Sequence, residues 1–186
     1  MKKIRIGVVV GSARTGSFSK TVADTLVTLM PEDLEMNVIE IADLPIYNQD
    51  YDEEGKNPAQ YVRFRQQVKE CAGFLFVTPE HNRSIPALLK NALDVASRPY
   101  GSNVWSGKPG AIVSVSPGGI GGFGANHISR QTLSFLNVYM MQQPEAYVGN
   151  VTDMIGSDGK ITAEKSVGFL KKVAESVAEW VRRFEK

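Results

Sequence analysis

The sequence predicts a three-layered α/β fold in which a five-stranded parallel sheet is covered by helices on both faces. Three observations lead there. Stretches rich in β-branched and aromatic residues alternate along the chain with stretches of helical periodicity, and parallel strands need crossover connections that carry such helices. The strand-like runs lack strict apolar/polar alternation, as expected of strands buried on both faces. A length of 186 residues with 42% hydrophobic composition is enough for one compact core, so a single domain over residues 1–186 is expected.

The elements follow in order. Ile4 to Val10 is the first strand; Gly11 to Gly16 break it before a helix over Ser17 to Met30. Met36 to Ile41 reads as the second strand, and Leu44 to Asn57 as a long loop rich in Pro, Asn, Asp and Tyr. Pro58 to Cys71 is helical, with Pro58 in a tolerated first-turn position. Gly73 to Thr78 gives the third strand, and Pro86 opens a helix through Ser97 whose Leu88, Leu89, Ala92, Leu93 and Ala96 recur at spacings of three and four. After a loop from Pro99 to Lys108, Ala111 to Val115 is the fourth strand. The glycine cluster Gly118 to Gly124 then leads to a helix over Ala125 to Asn137. The fifth strand lies within Val138 to Val148, and a helix with an apolar stripe closes the chain from Thr162 to Phe184.

Composition excludes whole classes of function. Twenty-one basic against 20 acidic residues leave a net charge of +1, which gives no field to recruit nucleic acid or an anionic membrane. No run approaches the roughly 20 apolar residues of a membrane span, and the short apolar run at the N-terminus ends in Gly11-Ser12, so it reads as a strand rather than a secretory signal. A single cysteine, Cys71, excludes an intrachain disulfide and reads as a small buried hydrophobe. The expected compartment is the cytoplasm.

Function must then come from a local site, and in open α/β sheets such sites lie beyond the carboxyl ends of the strands. The loop Gly11-Ser12-Ala13-Arg14-Thr15-Gly16-Ser17-Phe18-Ser19 sets small residues, hydroxyls and one guanidinium at a strand-to-helix junction. Free N–H groups and the helix dipole there favour an anion, and Arg14 can pair with a phosphate. The plainer alternative is a helix start capped by Ser17. Gly16 is followed by Ser17-Phe18, which excludes a nucleoside-triphosphate loop. The spacing of Gly7, Gly11 and Gly16 does not form the dinucleotide fingerprint. With no thiol in the loop, a cysteine phosphatase is excluded too.

Two further loops leave the third and fourth strands. Pro79-Glu80-x-Asn82-x-Ser84-x-Pro86, followed by Leu89-Lys90-Asn91-Ala92-Leu93-Asp94, joins Gly11-Ser12-x-Arg14-x-x-Ser17 in an ordered pair of motifs. Over nearly the whole chain this resembles the NADPH-dependent FMN reductases, in particular the quinone and chromate reductase branch. The resemblance implies a flavodoxin-like fold with strand order 2-1-3-4-5. It assigns the FMN phosphate to Ser12, Arg14, Ser17 and Ser19, with Phe18 beside them; many members carry asparagine at the position of Ser19. It sets Pro79, Glu80, His81, Asn82 and Arg83 along the isoalloxazine, tyrosine being common where this chain has His81. In the third loop, Ser116-Pro117-Gly118-Gly119, close backbone approach and helix-end N–H groups would stabilise negative charge on the reduced ring, and the resemblance favours Ser116, Gly118 and Gly119 as contacts.

The reading is therefore an FMN-dependent oxidoreductase in which NADPH or NADH delivers hydride to flavin N5 and a quinone, chromate, an azo compound or free flavin takes it up in a ping-pong cycle. No side chain is required as a nucleophile. Neither His81 nor His127 has a partner visible in the sequence. The alternatives are a flavodoxin-type electron carrier, which the near-neutral charge disfavours, and an FMN-binding regulatory protein. The resemblance also implies a homodimer or homotetramer with FMN near the interface. The helices Pro86 to Ser97 and Ala125 to Asn137 carry more apolar side chains than one sheet-covering face needs, so a two-fold contact is expected to set Pro45, Tyr47 and Asn48 of a partner over the flavin, with Arg130 and Glu145 as an ion pair at a further contact. The plainer alternative is that these helices only cover the sheet and the loop folds back on its own chain.

Overall fold

A computed structural model describes residues 3–185. Its sheet has the order β2-β1-β3-β4-β5, built from β1 (Ile4–Val10), β2 (Leu34–Val38), β3 (Gly73–Pro79), β4 (Pro109–Val115) and β5 (Tyr139–Met140). A sixth strand, β6 (Ala146–Val148), pairs with β4 beyond β5. All pairings are parallel. The helices are α1 (Phe18–Leu29), α2 (Ala59–Glu70), α3 (Ala87–Ala96), α4 (Phe123–Phe135), a one-turn α5 (Val151–Met154) and α6 (Glu164–Arg182).

Alternate side chains of the buried strands feed two cores, as the two-residue period of a strand requires. Ile6, Val8, Leu75, Val77, Ala111 and Val113 face α1 and α6. Val9, Phe74, Phe76 and Ile112 face α2, α3 and α4. The second core is plugged by Trp105, fully buried, from the loop before β4. Its ring meets Phe74 edge-on at 4.8 Å between centroids, and its Nε1 donates to the Leu93 carbonyl at 3.2 Å. Cys71 is buried in the same core at the end of α2, and desolvation pushes its thiol up to about 11.

Two expectations from the sequence shift, and one element is added to them. The second strand spans Leu34–Val38 rather than Met36 to Ile41. Its register against β1 sets Leu34 opposite Ile4 and Val38 opposite Val8, after which Ile39 and Ile41 turn inward as core residues outside the ladder. The expected fifth strand is two short strands, because the chain leaves the ladder after Met140 and rejoins β4 at Ala146. The turn α5 was not anticipated.

Among the described residues no helix is long and apolar enough to cross a membrane.

Candidate functional site

The carboxyl ends of β1, β3 and β4 meet around a cavity of about 450 Å³. The loop after β1 supplies Ser12, Arg14, Ser17, Phe18 and Ser19 to its wall. The loop after β3 supplies Pro79 and His81, the start of α3 Pro86 and Leu88, and the end of β4 Val115 and Pro117. Of the thirteen residues singled out by sequence, these seven lie together: Ser12, Arg14, Ser17, Phe18, Ser19, Pro79 and His81. Glu80, Asn82, Arg83, Ser116, Gly118 and Gly119 stand outside the lining.

The first loop fits an anion. Gly11 admits the tight approach that starts it: its N–H donates to the Val77 carbonyl at 2.8 Å, and a Cβ at this position would stand 2.7 Å from Thr78 Oγ1. Ser17 caps α1 by accepting the Lys20 N–H at 3.3 Å. That leaves the N–H groups of Phe18 and Ser19, which have no helical acceptor in a first turn, beside the nearly inaccessible Ser19. Arg14 lies over the Phe18 ring at 5.1 Å and donates to the carbonyls of Thr15 at 3.1 Å and Gly16 at 2.6 Å. The donor set of hydroxyls, helix-end N–H groups and one exposed guanidinium suits a phosphate monoester.

The second loop is a two-residue hairpin. His81 and Ser84 exchange backbone hydrogen bonds at 3.0 and 2.9 Å, and Asn82 and Arg83 between them take φ of 51° and 65°. Positive φ at two successive residues is the signature of a type I′ turn. Asn tolerates this conformation, whereas a residue such as Arg83 carries a cost of about 1 to 2 kcal/mol. Glu80 holds the turn in place. One of its carboxylate oxygens accepts from Arg83 at 3.0 Å, and the other accepts the Ala125 N–H in the first turn of α4 at 3.0 Å. The turn thus presents His81 to the cavity while Glu80 faces α4.

The third loop is held from behind. Ser114 Oγ donates to the Gly121 carbonyl at 2.7 Å, Asn126 Nδ2 donates to Ser114 Oγ at 3.2 Å, and Arg130 Nε donates to Asn126 Oδ1 at 2.9 Å. Ser114 and Asn126 are fully buried. Gly121 has φ of 66°, and a Cβ there would lie 2.8 Å from the Tyr147 backbone. At the front of the loop, Ser116 Oγ accepts the Gly118 N–H at 3.0 Å, while Gly119 is exposed. Arg130, expected at a contact with Glu145, donates through Nη1 to the Met141 carbonyl of its own chain at 2.8 Å. His127 is exposed, with Nε2 3.0 Å from the Tyr147 hydroxyl.

One organising residue carries no role in the sequence reading. Asn91, nearly buried in α3, accepts the Tyr47 N–H at 2.8 Å and donates to the Pro45 carbonyl at 2.9 Å. It ties the long loop after β2 to its own chain and lifts Ile46, 74% exposed, to the surface. The signal was present: an amide inside an otherwise apolar helical stripe needs partners.

The chain is similar to known proteins over nearly its whole length. The sequence profile of the family described as NADPH-dependent FMN reductase matches residues 4–153. A quinone reductase of Pseudomonas putida is 50% identical over 177 residues, covering 95% of this chain and 94% of that protein. A 2-hydroxy-1,4-benzoquinone reductase of Burkholderia sp. is 43% identical, covering 96% and 97%. The solved structure of FerB, a flavoenzyme NAD(P)H:(acceptor) oxidoreductase from Paracoccus denitrificans, superposes with a TM-score of 0.90 at 35% identity, covering 97% of this chain and 98% of that one.

Proposed function

The chain belongs to the NADPH-dependent FMN reductase family, and we propose that it is a cytoplasmic quinone reductase with FMN held in the cavity over β1, β3 and β4. The observation that carries the proposal is that one cavity joins the anion-binding first loop to Pro79, His81 and Pro117. The FMN phosphate would sit on Ser12, Ser17, Ser19 and the first-turn N–H groups of α1, with Arg14 leaving the Thr15 and Gly16 carbonyls to pair with it. Phe18, Pro79 and His81 flank the route of the ribityl chain and ring. Glu80, Asn82 and Arg83 act by fixing the hairpin that carries His81. In the third loop the Ser116 and Gly118 N–H groups are taken up by the Val148 carbonyl and Ser116 Oγ, so that Ser116 and Gly118 would shape this side of the ring and the Gly119 N–H would meet developing negative charge.

When bound, the flavin supplies the two-electron chemistry, so that NADPH or NADH and then the acceptor use one open face in turn, a ping-pong cycle. The protein's part is to orient donor and acceptor and to exclude competing chemistry. Quinones are the expected acceptors, with chromate, azo compounds and free flavin open to the same exposed face. Among the described residues no cluster of His, Cys, Asp and Glu could hold a metal.

Spectrophotometric titration of the purified protein with FMN, followed by NADPH oxidation against a panel of quinones, tests the reading. FMN binding at micromolar concentration with quinone-dependent NADPH turnover and parallel lines in double-reciprocal plots is the expected result. Absence of FMN binding would overturn it, and FMN binding without turnover would favour the carrier.

A further inference from the structure

A second cavity, of about 250 Å³, adjoins the first across the loop after β1. Ser12, Ala13, Arg14 and Leu88 wall both. It lies over the carboxyl ends of β1 and β2, floored by Val38, Ile39, Ile41 and Ala42, with Arg14, Lys20, Asp24 and Glu40 around its rim. Of its lining, the proposed flavin phosphate uses only Ser12 and Arg14 on the shared wall.

Its chemistry is divided in space. The floor is apolar and open, with Val38 58% exposed at the last position of its strand. Two cations line it: Arg14 on the wall shared with the first cavity, and Lys20, paired with Asp24 at 2.9 Å, outside that shared wall. At the β2 end stands Glu40, with Oε1 accepting the Ala42 N–H at 2.7 Å and Oε2 left to accept from a ligand. A flat base needs the floor, a phosphate needs the cations, and a ribose diol needs a carboxylate acceptor. In doubly wound sheets that bind dinucleotides, an acidic residue of this kind accepts from the adenosine ribose.

We infer that this second cavity takes an adenosine 5′-phosphate group. The inference rests on the reading that the first loop holds a flavin phosphate. Two molecules could bring the group: FAD, whose flavin-side phosphate would lie where that of FMN lies, or the nicotinamide donor. Because the cavities meet at Arg14 rather than at the ring side formed by Pro79 and Pro117, the adenylate of FAD is the expected occupant.

The test titrates apoprotein with FMN and with FAD, and measures the KM for NADPH of the FMN-loaded protein, for wild type, Ala42→Trp and Glu40→Gln. Ala42 is exposed, and its replacement fills the floor without entering the first cavity. FAD should bind wild type with a Kd within about tenfold of that for FMN. Ala42→Trp should weaken FAD by about tenfold or more, and Glu40→Gln should weaken it in the same direction, both with FMN affinity unchanged. A rise in KM for NADPH without a change in FAD affinity would support the site and assign its adenylate to the donor. Variants that move neither FAD affinity nor the KM would overturn the inference while leaving FMN binding intact. Failure of FMN itself to bind wild type would overturn both readings.

Discussion

The carboxylate of Glu80 accepts the backbone N–H of Ala125 across 45 residues of sequence at 3.0 Å, which ties the hairpin after β3 to the first turn of α4. The second oxygen of that carboxylate holds Arg83. A residue marked by sequence as a ring contact is in the structure the brace between two loops of the site.

Glu80→Ala should therefore cost stability before it costs chemistry. Losing a charge-assisted hydrogen bond to a helix-end N–H is worth about 1 to 3 kcal/mol, and at this chain length each kcal/mol lowers Tm by about 2 to 4 °C. Glu80→Gln keeps an acceptor and should lose less. Thermal melts of the two apo variants measure this; equal Tm values for Glu80→Ala and wild type would show that the brace carries no load.

Arg14→Ala should raise the Kd for FMN about ten- to a hundredfold, the worth of a charge-assisted phosphate contact, with little change in the apo melt because Arg14 is exposed. Lys20, exposed and paired with Asp24, should matter less for FMN. Equal small effects of Arg14→Ala and Lys20→Ala in fluorescence titrations would remove the first loop from the phosphate site.

Asn126 connects Arg130 to Ser114 and so to the Gly121 carbonyl. Asn126→Leu leaves buried polar groups without partners, at about 1 to 3 kcal/mol. It should also loosen the loop that carries Gly119, whose N–H would meet the reduced ring in the proposed site. The flavin midpoint potential should then move in the negative direction, by roughly 30 mV for each 1.4 kcal/mol of lost stabilisation in a two-electron couple. A lower Tm at an unchanged potential would confine the relay to folding.

The Cys71 thiol titrates near 9 when free and is pushed up to about 11 in the fold by burial. The folded chain holds that proton more tightly, so its contribution is complete below pH 9 and is lost as pH rises through 11. Urea denaturation at pH 7, 9 and 11 should show wild type losing up to about 2 to 3 kcal/mol relative to Cys71→Ala over that interval. Parallel pH profiles for the two proteins would contradict the assignment.

A dimer or tetramer should appear in light scattering during size exclusion, because Ile46, Ile120, Phe123 and Phe135 stand exposed around the site and along α4. A monomeric mass with FMN fully bound would show that one chain completes the site.

What the sequence made legible was whatever is encoded locally. Ile4–Val10 is bounded as read because a run of β-branched residues ends at Gly11. Hydropathy shows that Ile39 and Ile41 are buried, yet it does not distinguish a residue in the ladder from one folded under it, and so the β2 boundaries moved. The seven cavity residues cluster as motifs because each loop follows its strand directly. The brace from Glu80, the relay through Asn126 and the tether at Asn91 are long-range hydrogen bonds. Their partners are settled by packing, and no spacing in the sequence announces them.

The interrupted margin of the sheet has its own consequence. Beyond β4 the chain offers strands of two and three residues with Pro144 between them, and the opposite margin, β2, is five residues long with Glu35 and Asn37 in it. A passing copy of the chain finds no long row of free peptide groups on which to lay a strand. Crowding at high concentration should therefore drive copies together through side chains on helices, in contacts that can separate again, rather than through the backbone zippering that seeds fibres.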